Sequence, residues 1–444
     1  MSDGYAIAGV PRYVIADARV PRSLLASTTG DVDREGLARI DILVEDGIVG
    51  AIMPTGVGPG AWAAEAPRLP LGGAIALPLF VDAHTHLDKG HIWPRAPNPD
   101  GTFASALEAV SADRAARWTA ADVAARMEFA LGCAYAHGTG AIRTHIDSLG
   151  PQTEISWPVF AEMRARWAGR IALQAAPLFG IDHVFDEAHM RGVETMVDRY
   201  GSRVLGAVTY MAPRLREGVD RLFALAARKG WDLDFHVDET ADPAAVSLSI
   251  IAEGALDHRF AGRILVGHCC SLSRQGEEAA KRTIDLVARA GLHVVSLPMC
   301  NLYLQDRRVG GGTLRWRGVT ALHELKAAGV DTMIASDNTR DSFYAYGDLD
   351  MMEVWREGAR ILHLDHPAEP WAPALFTSPA RALGIDAGAL RVGAPADMIL
   401  TRARSFSELL ARPQPDRTVL RAGAPTGATP PDYRELDRLV GLAL

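Results

Sequence analysis

Leu77–Lys89 reads LPLFVDAHTHLDK, an apolar run that stops at Asp82 and passes at once into His84-Thr85-His86. A short apolar run closed by polar groups is the pattern of a buried strand that ends at a functional rim. Leu77–Val81 is the first such run, and seven more follow: Gly140–Arg143, Ile171–Ala175, Val204–Val208, Leu233–Phe235, Ile264–Val266, His293–Leu297 and Thr332–Ala335. After the first interval, successive starts are about 30 to 40 residues apart, the length of a strand–helix unit. Between them, Val219–Lys229 and Glu278–Arg289 have helical apolar periodicity. Eight such units predict an α/β fold built on a (β/α)₈ TIM barrel. The first interval, about 60 residues, must hold an insertion, which the Pro- and Gly-containing loop His91–Thr102 opens.

The chain ends read differently. Ile40–Met53 predicts two strands around Asp46-Gly47, a tight-turn pair, and Leu390–Leu400 and Arg417–Ala422 are strand-like. Neither end suffices for a stable sheet alone. The expectation is a small composite β-sandwich from residues 1–75 and 386–444 beside a barrel over 76–385.

Composition narrows the partners. The 444 residues carry 46 Lys+Arg against 54 Asp+Glu, a net charge of −8. That balance gives no general pull toward nucleic acid or an anionic membrane. The apolar run Ala74–Val81 is far below the roughly 20 residues that span a bilayer, and Met1–Val20 lacks the pattern of a secretory leader. Cys133, Cys269, Cys270 and Cys300 have no CxxC spacing, so free thiols and a reducing, cytoplasmic setting are expected. A small-molecule partner fits best, and homo-oligomerisation is left open.

The histidines fall where the predicted strands end. Strand 1 runs into His84 and His86, strand 5 into His236 and then Glu239, strand 6 into His268, and strand 8 into Asp337. In a barrel these ends converge on one mouth. His84 and His86 alternate on an extended segment, so both face one way. With His236 and Asp337 they offer an inner shell for one divalent ion, Zn²⁺ or Fe²⁺, with room for a water made nucleophilic at neutral pH. A lone HxH, His or Asp is commonly a packing or turn residue; the combination at four strand ends is what carries the reading. His145, which ends strand 2, is expected at the mouth, and His91 is a further candidate there.

FVDAHTHLDK (Phe80–Lys89), RTHID (Arg143–Asp147), HVDE (His236–Glu239), VGH (Val266–His268) and SDN (Ser336–Asn338) together resemble the amidohydrolase superfamily. Within it they resemble the cytosine deaminase group, and HTHLDK is also similar to N-isopropylammelide amidohydrolases. The resemblance implies that His84, His86, His236 and Asp337 bind one metal. It implies that Glu239 shuttles protons and that His268 activates water or polarises the substrate. Many amidohydrolases bridge two metals with a carboxylated Lys on strand 4; Val204–Tyr210 has none, which favours one metal. The implied reaction is hydrolytic deamination of a C=N-containing ring, with Glu239, His268 and Asp337 as the catalytic groups.

Three positions depart from cytosine deaminases. Leu178 stands where that group has a Gln, Asn338 where it has a second Asp, and Phe343 where it has a Trp. Leucine makes no amide-type hydrogen bonds, so a larger or more apolar N-heterocycle fits better than cytosine. Lys89, Leu178, Asn338 and Phe343 are the expected substrate contacts. Lys89 with Arg340 would suit an anionic substrate group, though an exposed salt bridge explains them equally well. For Trp93, Tyr210, Met211, Asn301, Arg340, Asp341 and Tyr344, loop packing and substrate contact are both open. Two other readings compete: opening of a cyclic amide or release of an alkylamine, and a non-catalytic ligand-binding barrel. The last predicts lost ligands or a lost base, yet all six groups are present. The zinc deaminases marked by PCxxC are excluded, because the chain lacks that motif.

Overall fold

The computed structural model describes residues 10–27, 30–57 and 66–442. Residues 1–9 of the stretch read for a leader, and 58–65 of the first chain-end segment, lie outside them. Four N-terminal strands, β1 (Arg12–Pro21), β2 (Leu37–Glu45), β3 (Ile48–Pro54) and β4 (Arg68–Pro70), form one sheet in the order β3-β2-β1-β4. β2 and β3 are the expected antiparallel pair. Their turn residues Asp46 and Gly47 have φ of 48° and 80°, which Asp and Gly tolerate best. β1 has no sequence counterpart above. Tyr13–Ala16 are buried on both faces, and polar–apolar alternation is confined to Ala16–Val20, too short a run to mark the whole strand.

The strand expected over Leu77–Val81 is two strands. β5 (Ala76–Pro78) joins the C-terminal sheet, whereas β6 (Phe80–Thr85) pairs in parallel with β7 (Thr139–Asp147). Both are fully buried, so an apolar pattern cannot show where the chain changes sheets. β6, β7 and β8 (Ala172–Leu178) form one parallel sheet. β9 (Val204–Thr209), β10 (Asp232–Val237), β11 (Ile264–His268), β12 (His293–Ser296) and β13 (Asp331–Ile334) form another. Single parallel bridges join the two at both margins, Gly180 to Val208 and Thr85 to Asp337.

Helices separate these strands, as the periodicity requires. The first interval holds two, α1 (Phe103–Arg117) and α2 (Ala120–His137), each capped at its start by a threonine side chain, Thr102 and Thr119. α3 (Thr153–Arg166), α4 (Glu187–Arg199), α5 (Leu215–Lys229), α6 (Ser247–Asp257) and α7 (Glu277–Arg289) follow, and the short α8 (Pro298–Leu304) comes directly after β12. The molecule is thus α/β with parallel sheets.

At the C-terminal end, β14 (Met398–Leu400), β15 (Thr418–Arg421) and β16 (Ala424–Pro425) complete a sheet with β5. Of Leu390–Leu400 only the last three residues are strand. Gly393 and Pro395 interrupt the remainder, and Pro395 makes a single bridge to Ile48. One apolar cluster runs from Ile15, Ile40 and Ile75 of the chain-end sheets to Ile142 and Phe235 of the parallel strands. The four cysteines are buried and unpaired. Among the described residues no helix is long and apolar enough to cross a membrane.

Candidate metal centre and active site

The last residues of β6 are laced to the end of β13. Asp337 N donates to His84 O at 2.8 Å, and Thr85 Oγ1 donates to Asp337 O at 2.8 Å. This brings together side chains that lie far apart in sequence. Asp337 Oδ1 is 3.2 Å from His86 Nε2 and 3.6 Å from His84 Nε2. His236 Nε2, from β10, is 3.3 Å from His86 Nε2. Donors held about 2.0–2.1 Å from one tetrahedral ion sit roughly 3.3–3.4 Å from one another, so these spacings fit a shared cation. Both ring nitrogens of His84 and both carboxylate oxygens of Asp337 are buried without a hydrogen-bond partner. Groups of this kind call for an ion or another strong ligand.

The electrostatics agree. Burial first, then neighbouring histidines, joined by Lys89 at His84 and His86, hold His84, His86 and His236 well below the ordinary imidazole pKa, so the rings are neutral donors. Burial lifts the Asp337 carboxyl to about 7, and a cation among these groups would favour its ionised form. The backbone is bent for the purpose: Asp238, His268 and Asp337 adopt left-handed φ of 45°, 68° and 61° at the strand ends. Gly267 gives His84 its space, since a Cβ there would stand 2.9 Å from His84 Cε1.

His145 also joins this group. Each of His84, His86, His145 and His236 offers a nitrogen within 4.8 Å of the others. The His145 ring is centred 4.2 Å from that of His84 and 4.5 Å from that of His236. Its Nε2 is 3.1 Å from Asp234 Oδ1, and Arg143 donates to Asp234 Oδ2 at 3.1 Å. The motif RTHID therefore supplies a buried polar layer beneath the expected ligands. His91 does not line the cavity; its ring meets Phe129 edge-on, 4.9 Å between ring centres.

Glu239 and His268 face the same cavity of about 820 Å³. Burial, followed by the charge of Asp337, raises the Glu239 pKa well above the usual carboxyl value, which favours a carboxyl that carries a proton. Burial, followed by His145, lowers that of His268 to about 3. Asn301 Nδ2 donates to Glu239 Oε1 at 3.1 Å and lies 3.0 Å from His268 Nδ1.

All four expected substrate contacts line the cavity. Leu178 and Phe343 are apolar wall. Asn338 is partly committed, with Nδ2 donating to Asp341 Oδ2 at 2.7 Å. Lys89 is buried 3.2 Å from Asp147 Oδ1, and Phe343 lies 5.4 Å from its ammonium. Burial works against the Lys89 charge, but Asp147, Asp88 and Asp341 hold its pKa above the ordinary lysine value.

Arg340 does not line the cavity with Lys89; its guanidinium lies over the Tyr433 ring at 4.3 Å. Its place is taken by Arg114 of α1, which the sequence reading missed. Arg114 lines the cavity and donates to Asp147 Oδ2 at 2.7 Å. It sits among ordinary helical charges of the insertion, with no local mark. Phe103, Leu107 and Val110 of the same helix, with Tyr210 and Met211 after β9, make the mouth apolar.

Comparison with known proteins agrees with this arrangement. A model of the amidohydrolase family matches residues 170–426. The chain is 53% identical over 431 residues to a pterin deaminase of Rhizobium rhizogenes, covering 97% of each chain. It is 23% identical over 352 residues to an N-isopropylammelide isopropyl amidohydrolase of a Pseudomonas species, covering 75% of this chain and 81% of the relative. The crystal structure of a 5-methylcytosine deaminase from Klebsiella pneumoniae with 5-fluorocytosine superposes with a TM-score of 0.78 at 24% identity, over 93% of this chain and 97% of that one. The last likeness shows a shared fold. The family match and the near-full-length relative go further: the chain belongs to the amidohydrolase family.

Proposed function

We propose that this chain is a metal-dependent deaminase of a pterin-type bicyclic N-heterocycle, converting a ring C–NH₂ to C=O and releasing ammonia. The observation that carries the reading is Glu239, its side chain only 15% exposed, lining the cavity that His86, His236 and Asp337 also line. The near-full-length relative called a pterin deaminase supports the ring class. So do Leu178 and Phe343, which give a wider and more apolar wall than a pyrimidine needs.

One divalent ion, Zn²⁺ or Fe²⁺, would be held by His84, His86, His236 and Asp337. When bound, it supplies Lewis acidity that makes water a nucleophile near neutral pH. Glu239 gives its proton to the ring nitrogen next to the amino-bearing carbon, which makes that carbon electrophilic. Asp337 accepts a proton as water adds, and His268 donates a hydrogen bond to the oxygen that develops charge. Asp337 returns its proton to the amino group, the hydroxyl proton of the adduct passes to Glu239, and ammonia leaves, so water and the amine give the oxo product and NH₃. Lys89, Leu178, Asn338 and Phe343 shape the ring's seat.

The architecture we infer is a (β/α)₈ barrel closed by β6–β13, its strand ends forming the mouth. Residues before Leu79 and from 386 onward make a composite β-sandwich. The two margin bridges support closure, and the pairing of Ala76–Pro78 with Met398–Leu400 moves the boundary a few residues past 75. Four buried free thiols favour a reducing, cytoplasmic setting.

The test is ammonia release from pterin, cytosine and N-alkylated aminotriazines by zinc- or iron-loaded protein, with mass spectrometry of the products. Pterin should lose its amino group for oxygen. No ammonia from any pterin, or alkylamine as the dominant product, would overturn the assignment.

A further inference from the structure

Asn301 lies in the first turn of α8 and is wholly buried. Its Nδ2 reaches Glu239 Oε1 at 3.1 Å and His268 Nδ1 at 3.0 Å, while its Oδ1 is buried with no partner. An amide nitrogen has two hydrogens and no accepting lone pair. In this orientation both neighbours accept, although His268 Nδ1 and Glu239 Oε1 are themselves 3.4 Å apart. Turning the amide over would leave two N–H groups without acceptors where one oxygen now stands. Orphaned buried N–H groups are rarer than under-satisfied carbonyls, so the surroundings favour this orientation over the turned one.

The count of hydrogens then extends outward. A neutral imidazole that accepts at Nδ1 carries its single proton on Nε2. His268 Nε2 is buried without a protein partner, and His268 lines the cavity. The same amide occupies Glu239 Oε1, which leaves Oε2 as the oxygen able to carry and release a proton.

We propose that Asn301 is a positioning residue that sets where the protons of this site reside: on His268 Nε2 and on Glu239 Oε2. During the reaction Oε2–H passes its proton to the ring nitrogen. Nε2–H keeps its own proton and donates a hydrogen bond to the new oxygen. Asn301 is not among the residues lining the cavity, and acts through the two groups it holds. The consequence for turnover rests on the deaminase reading above; the tautomer does not.

The experiment uses zinc-loaded protein with ¹⁵N-labelled histidine and long-range ¹H–¹⁵N correlation of the rings, the His268 signals being assigned by their loss in His268→Gln. Wild type should show an unprotonated Nδ1 and a protonated Nε2. Asn301→Asp offers only acceptors of similar shape. It should move the proton to Nδ1 and lower kcat on pterin by roughly 100-fold or more, the scale of one lost oxyanion donor, with KM changed less than about threefold. A wild-type proton on Nδ1 would overturn the proposal. So would an Asn301→Asp variant with wild-type kcat and tautomer. Should that variant fail to fold, the wild-type spectrum alone still decides. Absence of any pterin turnover by wild type would sink the substrate reading and leave the tautomer result standing.

Discussion

Two aspartates flank β13 and have opposite fates. Asp331, at its start, accepts from Arg381 at 2.7 and 3.0 Å and lies 3.2 Å from His293 Nδ1. Burial alone would raise its pKa, but those partners outweigh it and hold the carboxyl at about 2. Asp337, just past the other end, is buried with no N–H or O–H donor on either oxygen and only the weak thiol donor of Cys300 beside it, and burial lifts it to about 7. One carboxylate supports the fold. The other is held ready for something the polypeptide does not supply. The contrast extends around the parallel sheets: His84, His236 and His268 also end their strands with buried, unsatisfied nitrogens. The C-terminal ends of the strands carry chemistry and the N-terminal ends carry stability.

The sharpest way to break this contrast is Asp337→Gly, which removes the carboxyl and accepts the left-handed backbone. It should abolish turnover and drop metal content well below one ion per chain, while the metal-free protein melts no lower than metal-free wild type. A clear fall in that melting temperature would mean that Asp337 supports the fold after all. Glu239→Gln should keep metal and melting temperature but lose roughly 10²–10⁴-fold in kcat, the range for general acid–base groups. Near-normal turnover would remove its proton-transfer role.

Gly267→Ala pushes a Cβ toward the His84 ring. Metal affinity, read by competition with a chelator, should weaken about 10–100-fold, as for other disturbed ligand supports. Asp331→Asn should be the mildest. Because the folded pKa lies below the unfolded value of about 3.9, its contribution is present above pH 4 and fades as pH falls through about 2. The variant should lose about 1–2 kcal/mol at pH 7 and close on wild type near pH 2, with unchanged kcat. Denaturant melts at the two pH values measure it.

The same contrast explains what the sequence could tell. His84, His86, His236, His268 and Asp337 each follow a short apolar run directly, so a local pattern points to each one, and the strand count makes them meet. Other parts depend on partners chosen only in three dimensions. Arg114 faces the cavity because α1 folds back over the mouth, and nothing in its helix distinguishes it from neighbouring charges. Asn301 matters through two hydrogens shared between groups from other strands. Arg340 turns to Tyr433, a partner far along the chain, and so leaves Lys89. The division of Leu77–Val81 between two sheets was hidden because both bury it equally.

The left-handed backbone at Asp238, His268 and Asp337 carries a consequence for laboratory selection. Residues other than glycine hold such angles at a cost, so a population selected only for heat resistance would gain by drifting toward glycine at these positions. Each gain would discard a side chain of the site or its neighbour. Selection for robustness and selection for turnover therefore pull against each other at the same few codons. A hardened variant of this protein has to draw its improvements from the chain-end sheets and the outer helices.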